Sequence, residues 1–248
     1  MTKYKYEFSN KLKKSNSTFE LNGVIYTPLR GNPGGYTSIN RFFGIENKPT
    51  FIVKKPRYKS RDSEEIINFY ATAYEKEKII WNTVYPEKKA ELFRDEDGRI
   101  RLVLPFLKAS PVSYSLSNYH EDPLIYCRQI LAIVDELSRF HNLGLRHGDL
   151  KLDNILIEKK EDGTFRAYLV DFGNVYKISN SDHEDPDWIP RDCNALVLDS
   201  LTSCITGLRT RHSLFYSYTS LDLIKKELLE EIENLCEENK SWCSRASL

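Results

Sequence analysis

The stretch HGDLKLDNILI, His147–Ile157, places three polar residues at fixed offsets immediately before a short run that is mostly apolar. These residues are Asp149, Lys151 and Asn154. An apolar run of this length is typical of a buried strand, so the polar groups are expected in a short loop that leads into it. A loop held between packed elements can keep such side chains in fixed relation, as a chemical site requires.

The segments on both sides of this loop support that interpretation. Upstream, residues 123–144 predict an amphipathic helix that ends at Gly144. Its apolar stripe consists of Ile130, Ile133, Val134, Leu137 and Phe140. Downstream, residues 154–173 predict a β-hairpin that turns at Asp162-Gly163 and ends in VDFG. The hairpin returns Asp171 to the end at which Asn154 begins it, so Asp171 is expected beside the polar loop.

Composition and charge narrow the class of protein. The chain has 248 residues, 40% hydrophobic and 29% charged, which is typical of a globular protein. Lys+Arg and Asp+Glu both number 36, so no overall basic field points to nucleic acid as a partner. The five cysteines form no CxxC pair and predict neither a zinc site nor a disulfide framework, in keeping with the cytoplasm. The sequence has no signal peptide and no apolar run of about 18 residues that would span a membrane.

The chain changes character near Leu107. Residues 1–18 are a polar leader, and residues 19–107 alternate short β-rich runs with turns and contain one long helical pattern, Ser63 to Tyr85. Residues 108–248 are mainly helical and carry one hairpin. The sequence therefore predicts an α+β chain in which a β-rich N-terminal lobe with one main helix precedes a mainly helical C-terminal lobe.

The long helical pattern in the N-terminal lobe has a recognisable start and an apolar face. Ser63, followed by glutamates, predicts the N-cap. The residues that recur at helical spacing are Ile66, Phe69, Tyr70, Ala73, Ile80 and Val84. Glu77 lies at helical spacing from the last three of these and is expected on the inward face, whereas Glu75 is expected to be more exposed.

The polar residues around the loop suit a phosphate and a divalent cation. Carboxylate and carboxamide oxygens are ligands that Mg²⁺ prefers, and the site offers two carboxylates, Asp149 and Asp171, and the carboxamide of Asn154. A lysine at the same place, Lys151, can offset the negative charge on a phosphoryl group during transfer.

Taken in order, the motifs resemble those of the eukaryotic-type protein kinase family. FHNLGLRHGDLKLDNILI is similar to the family's helix end and catalytic loop, H-R-D followed by four residues and Asn. VDFG is similar to D-F-G, and FIVK to the strand motif V-A-I-K. RLVLPFL resembles the strand that enters the hinge, and RDCNALVLDSL the buried helix that braces the loop. The resemblance runs from Phe19 to Gly207 and implies a bilobal protein-kinase-like fold that uses ATP and Mg²⁺.

The resemblance also implies roles for residues by position. Asp149 would accept the proton of the acceptor hydroxyl, and Lys151 would neutralise the γ-phosphate. Asn154 and Asp171 would hold magnesium. Lys54 would pair with the α- and β-phosphates and with a helix glutamate, for which Glu77 is favoured over Glu75.

The strand TFIVKKP, residues 50–56, offers two lysines, and strand alternation decides between them. Ile52 and Lys54 share one face, which favours Lys54 over Lys55. The resemblance places further nucleotide contacts in the glycine cluster GNPGGYTSIN and in the hinge. These contacts are Gly31, Gly34 and Gly35 for the phosphates, and Leu104, Phe106 and Leu107 for the base.

Three features depart from the family's pattern. Gly148 stands where the family has an arginine that pairs with a phosphorylated activation loop, so this switch is expected to be absent. Only the 18 residues 174–191 separate Gly173 from Asp192; they are acidic and lack an A-P-E motif. The glycine cluster is not a strict GxGxxG. An activating partner protein or a polyanion is then the alternative means of ordering the acidic segment.

Such departures occur in small kinase-like effectors of intracellular bacteria and in small-molecule kinases. Lysine two residues after the catalytic Asp, as in Lys151, is typical of Ser/Thr protein kinases. The sequence therefore favours ATP-dependent transfer to Ser/Thr hydroxyls of a protein substrate, in the cytoplasm, or in the host cytosol for a secreted effector. The alternatives are a small-molecule or lipid kinase of the aminoglycoside or choline type, and a nucleotide-binding pseudokinase scaffold.

Overall fold

A computed structural model describes residues 19–21, 24–29, 38–46, 48–56, 63–94, 100–117, 121–177 and 221–245. The path of the chain divides into two units, Met1–Leu107 and Lys108–Leu248. Several predicted features lie outside the described residues. These are the leader 1–18, the glycine cluster 31–37, the turn at Asp97-Gly98, the segment 178–191 and the helix predicted from Arg191 onward.

The N-terminal unit contains a six-stranded antiparallel sheet with the order β1-β2-β3-β4-β6-β5. Its strands are β1 (Phe19–Leu21), β2 (Val24–Pro28), β3 (Ser38–Ile45), β4 (Lys48–Pro56), β5 (Glu91–Arg94) and β6 (Ile100–Pro105). Strand β4 is paired on both sides, and the register sets Lys54 opposite Asn40 and Leu102. Val53 and Lys54, which point to opposite faces of β4, are both buried.

Helix α1 (Glu64–Val84) packs on β5 and β6 and follows the predicted span closely. Ser63 is the N-cap in extended conformation, although its side chain makes no cap hydrogen bond among the described residues. The prediction of one continuous apolar stripe is wrong for the first turns, because Ile66 and Phe69 are 41% and 69% exposed. The buried side chains are Tyr74, Glu77, Ile80, Trp81 and Val84.

Helix length explains this difference. Helix α1 has 21 residues and is therefore about 31 Å long. The strands beneath it have four and six residues, and six residues of strand span only about 20 Å. The sheet can cover one half of the helix, and Ile66 and Phe69 in the other half stay exposed in the described part of the chain.

The C-terminal unit is organised around helix α3 (Pro123–Asn142), which packs against strand β10 and helix α4. The described helices of this unit are α2 (Val112–Ser115), α3 and α4 (Leu221–Arg245). All five residues of the predicted α3 stripe are buried, which confirms that prediction. Gly144 adopts a φ of 70° just after the helix, a conformation that ends helices and favours glycine.

Five short strands complete the described part of this unit. They are β7 (Ser110–Pro111), β8 (Leu145–Arg146), β9 (Ile155–Lys159), β10 (Phe165–Leu169) and β11 (Tyr176–Lys177). Strands β9 and β10 form the predicted hairpin, which sets Ile155 opposite Leu169, with Gly163 at φ 81° in the turn. The hairpin thus brings the residues after β10 back to the start of β9. No helix within the described ranges is both long and apolar enough to cross a membrane.

Candidate active site

Lys54 and Glu77 form a buried ion pair inside the N-terminal unit. The Lys54 Nζ donates to Oε1 and Oε2 of Glu77 at 2.8 and 3.0 Å. The two side chains are only 8% and 3% exposed. An unpaired ammonium at such a site would be strongly destabilising, so each charge depends on the other. The ammonium of Lys54 is therefore held in one position.

The alternative residues occupy different environments. Lys55 points to the other face of β4 and is half-buried, while Glu75 lies on the exposed side of α1. Strand and helix periodicity account for both placements, since adjacent strand residues alternate faces and Glu75 is two residues from Glu77. The structure thus joins the two residues that sequence periodicity favoured.

In the C-terminal unit, the loop before β9 gathers the three polar residues of the opening motif. The Lys151 Nζ donates to Oδ2 of Asp149 at 2.9 Å. The Asn154 Nδ2 donates to the main-chain oxygen of Asp149 at 2.8 Å and lies 3.4 Å from its Oδ2. Asn154 is buried in a 3₁₀ turn, Leu152–Asn154, whereas the Asp149 and Lys151 side chains are 39% and 40% exposed. The buried Asn154 therefore holds the loop from the protein interior, while the side chains of Asp149 and Lys151 remain accessible to solvent.

Asp171 follows β10 and is tied to the same loop through the main chain. The Val170 N–H donates to the oxygen of Asn154 at 2.9 Å, and the His147 Nε2 lies 2.9 Å from the oxygen of Val170. Asp171 itself is exposed and has φ 67° and ψ 63°. This left-handed conformation is unusual for a residue with a side chain, although aspartate tolerates it better than most. Such conformations persist where the surroundings impose them, which happens often at functional sites.

The charges of this loop act on Lys151. Its hydrogen bond to Asp149 raises the pKa of the Lys151 ammonium above its ordinary value, and the charges of Asp149, Asp171 and Asp153 raise it further. Partial burial acts in the opposite direction. The carboxylates therefore surround a lysine that stays cationic at neutral pH.

The residues present fit a magnesium ion bound with a phosphate. The amide nitrogen of Asn154 is engaged by Asp149, which directs its oxygen away from that bond as a ligand. Asp171 adds an exposed carboxylate, so both donors are oxygens, as Mg²⁺ requires. In the described part of the chain no three His, Cys, Asp or Glu side chains cluster as a metal site. The remaining ligands of a cation would then come from phosphate and water, as is usual for Mg²⁺.

The predicted hinge residues lie at the end of strand β6 (Leu104) and directly after it (Phe106 and Leu107). Leu104 and Leu107 are buried, and the Phe106 N–H donates to the oxygen of Thr50 at 2.8 Å. They belong to the N-terminal unit with Lys54 and Glu77, whereas the polar loop belongs to the C-terminal unit. Gly31, Gly34 and Gly35 lie outside the described residues.

Sequence reasoning missed the reason for Gly148 and the role of its neighbours. Gly148 has φ 71°, and a Cβ there would lie 2.6 Å from the oxygen of Asn174. The position therefore needs glycine for its own geometry, besides lacking the family's arginine. Two residues earlier, the Arg146 guanidinium lies over the ring of Tyr176. No local signal in the sequence joins these two residues.

Comparison with known families supports the assignment of the fold. The model of the lipopolysaccharide kinase (Kdo/WaaP) family matches residues 121–206, which include the polar loop, the hairpin and Asp171. This chain is protein-kinase-like. Its α+β architecture, with a β-rich N-terminal lobe and a mainly helical C-terminal lobe, is as predicted.

The structure of a Rio2 kinase from Chaetomium thermophilum, in a complex with ADP/Mg²⁺ and phosphoaspartate, matches with 18% sequence identity and a TM-score of 0.47. That match covers 86% of this chain and 71% of the Rio2 chain. No curated protein matches the sequence.

Proposed function

We propose that this chain is an ATP- and Mg²⁺-dependent phosphotransferase that acts on Ser or Thr hydroxyls of a protein substrate. The observation that carries the proposal is the loop in which Lys151 and Asn154 both bond to Asp149, with Asp171 tied beside it through Val170. In the reaction, the bond between the γ-phosphorus and the β–γ bridging oxygen breaks, and a bond from the acceptor oxygen to that phosphorus forms.

Asp149 is the residue that orients the acceptor. Its carboxylate is partly exposed, so an incoming hydroxyl can reach it. The hydroxyl donates its hydrogen bond to Asp149 and passes its proton there as the new bond forms. The bond from the buried Asn154 to the Asp149 main chain keeps the carboxylate in place during this step.

Lys151 neutralises charge on the group in transfer. The transition state spreads negative charge over the equatorial oxygens of the phosphoryl group, and catalysis is mostly positioning and electrostatics. Lys151 is cationic at neutral pH, partly exposed and bonded to the partly exposed Asp149, so it can turn towards those oxygens. Its interaction strengthens as transfer proceeds, which lowers the barrier rather than the binding energy.

Asn154 and Asp171 would hold the magnesium ion, which neutralises phosphate charge and fixes the phosphate oxygens when it is bound. Lys54 would bind the α- and β-phosphates. Its pairing with Glu77 supports that role, because both the position and the protonated state of the amine are already set. The argument against the pseudokinase alternative is that the chain retains all four expected residues: Lys54, Asp149, Asn154 and Asp171.

The acceptor could instead be a sugar hydroxyl, and one observation favours this second candidate. The family model that matches residues 121–206 is that of lipopolysaccharide kinases. The chemistry at Asp149 would be the same, because both acceptors are alcohols. We favour protein acceptors because Lys151 stands two residues after Asp149, as in Ser/Thr protein kinases. The cytoplasm, or a host cytosol, and an activating protein partner or polyanion remain parts of this proposal.

The experiment is incubation of the purified chain with γ-labelled ATP and MgCl₂, in parallel with two sets of acceptors. One set is a cell lysate, and the other contains lipopolysaccharide core sugars, an aminoglycoside and choline. Asp149→Asn, which removes the base and keeps the side-chain size, is the matched control. Label in lysate proteins that is lost in Asp149→Asn supports the proposal. Label in a small acceptor alone establishes the second candidate, and binding of ATP without any transfer establishes a pseudokinase.

A further inference from the structure

The segment after Asp171 is joined to the strand that precedes the polar loop. Strands β8 and β11 pair antiparallel and set Tyr176 opposite Arg146. The guanidinium carbon of Arg146 lies 5.5 Å from the centre of the Tyr176 ring, which is within the range of a cation–π contact. Arg146 is only 4% exposed, and such contacts are stronger when the cation is removed from water.

Gly148 permits the same segment to lie directly against the loop. Its φ of 71° disfavours other residues, and a Cβ would lie 2.6 Å from the oxygen of Asn174 and 3.1 Å from Cε1 of Tyr176. The first distance is to a main-chain atom, which cannot swing away. The close approach of the two backbones therefore depends on glycine at position 148.

An aromatic cluster anchors the other end of the segment. Phe172 is fully buried, and its ring centre lies 5.6 Å from that of Phe140 and 5.9 Å from that of His147. Asp171 thus has a buried anchor directly after it, while Val170, directly before it, bonds to the loop. Further along the segment, Tyr176 is held by its contact with Arg146.

We infer that Arg146 and Tyr176 are a positioning pair that holds Asp171 in its left-handed conformation and so presents the carboxylate to magnesium. This inference rests on the proposed function, because it assigns the pair to the magnesium step of the same site. Arg146 precedes the polar loop and Tyr176 follows Asp171, so the pair acts on the magnesium site through the position of Asp171.

The test compares two substitutions of one residue. Tyr176→Phe keeps the ring over Arg146, and Tyr176→Leu removes it. Tyr114→Leu, at a tyrosine that is 86% exposed on α2, is the matched control for the loss of a tyrosine. The first readout is amide hydrogen exchange of the peptide 171–177 without nucleotide. The second is the affinity for ADP with and without MgCl₂, and thermal unfolding checks that each variant is folded.

Tyr176→Leu should accelerate exchange of this peptide and weaken Mg²⁺-dependent ADP binding, each by roughly three- to tenfold. Affinity for ADP without magnesium should not change. Tyr176→Phe and Tyr114→Leu should behave as wild type in all readouts. If Tyr176→Phe keeps the wild-type exchange and affinity, then the ring over Arg146 holds the segment, and not a hydrogen bond of the tyrosine hydroxyl.

Equal exchange in Tyr176→Leu and Tyr176→Phe would overturn the inference, because the pair would then not hold the segment. Faster exchange with unchanged Mg²⁺-dependent affinity would overturn it as well, because the pair would then not act on the magnesium site. Failure of the proposed function looks different. In that case wild type itself gains no ADP affinity from magnesium, while the exchange comparison still reports whether the pair holds the segment.

Discussion

The chain contains two lysine–carboxylate pairs of nearly equal length in opposite environments. Lys54 and Glu77 are 2.8 Å apart and almost wholly buried, whereas Lys151 and Asp149 are 2.9 Å apart and about two-fifths exposed. A buried pair cannot separate without leaving a charge in a poorly solvated site. An exposed pair separates at little cost, since water and salt screen it.

Under the proposed function, this difference in environment gives the two lysines different roles. The buried pair keeps an ammonium fixed before any ligand arrives, which is what binding of a polyphosphate needs. Because the other pair is exposed, Lys151 can release Asp149 and bind a phosphoryl oxygen during transfer. If the proposed function is correct, the same two functional groups serve binding in one unit and catalysis in the other.

The largest effect is expected from Asp171→Asn, which tests whether the exposed residues of the C-terminal unit do the chemistry. Phosphoryl transfer should fall by roughly a hundred- to a thousandfold or to background, because a charged magnesium ligand is lost. Thermal unfolding without nucleotide should not change. Asparagine tolerates the left-handed conformation of Asp171, whereas alanine would add strain of about 1 kcal/mol there, so Asn gives the cleaner test. Retention of most activity by both Asp171→Asn and Asn154→Ala would show that the site is assigned wrongly.

The next effect concerns stability in the N-terminal unit. Glu77→Ala should lower the free energy of unfolding by about 3 kcal/mol in urea titrations, because it leaves the Lys54 ammonium buried without that carboxylate. The double variant Lys54→Met, Glu77→Leu should regain most of this stability and remain inactive. A loss below about 0.5 kcal/mol for Glu77→Ala, as for a surface pair, would remove the contrast between the two pairs.

A smaller effect is expected from Lys151→Met. Turnover should fall by roughly tenfold or more, while ADP affinity and stability stay near those of wild type, because the Lys151 contact strengthens only during transfer. Steady-state kinetics with a binding titration separate the two quantities. An equal loss of affinity and turnover would mean that Lys151 acts in binding, as Lys54 is proposed to do.

The pH dependence of the same variant gives a further test. Because Asp149 and the neighbouring carboxylates raise the pKa of Lys151 above the ordinary lysine value, its ammonium form persists through the neutral range. The ammonium form of Lys151 is present below the raised pKa and is lost only as the pH rises through it. The ratio of turnover between wild type and Lys151→Met should therefore stay constant from about pH 6 to pH 9. If the ratio decreases as the pH rises through that interval, the electrostatic environment of Lys151 is different from the one described here.

Dephosphorylation of the protein itself is expected to have no effect on activity. Gly148 leaves no arginine beside Asp149, so phosphatase-treated protein should transfer phosphate as fast as untreated protein. Kinetics before and after treatment check this, with mass spectrometry to verify dephosphorylation. Large loss of activity that returns on rephosphorylation within residues 174–191 would contradict it.

Sequence alone was sufficient where a side chain's role follows from short-range periodicity. Strand alternation selected Lys54 over Lys55, and helical spacing selected Glu77 over Glu75; the structure joins the selected pair. Periodicity failed at Ile66 and Phe69, because a sequence pattern does not state how far the sheet beneath a helix extends.

The contact between Arg146 and Tyr176 could not be predicted for a related reason. It depends on the register of two strands of two residues each, which are too short to carry a pattern. Glycine is likewise needed at position 148 because the backbone at Asn174, 26 residues later in the sequence, lies close to it. This proximity arises only when the chain folds. Local signals identify the groups that do chemistry, and tertiary contacts decide how those groups are held.

The most direct test of the account is mass spectrometry of the chain and of lysate proteins after incubation with ATP and MgCl₂, for wild type and Asp149→Asn. The account predicts phosphoserine or phosphothreonine that forms with wild type and is absent with Asp149→Asn. Equal phosphorylation by both proteins, or ATP binding with no turnover by wild type, would contradict it.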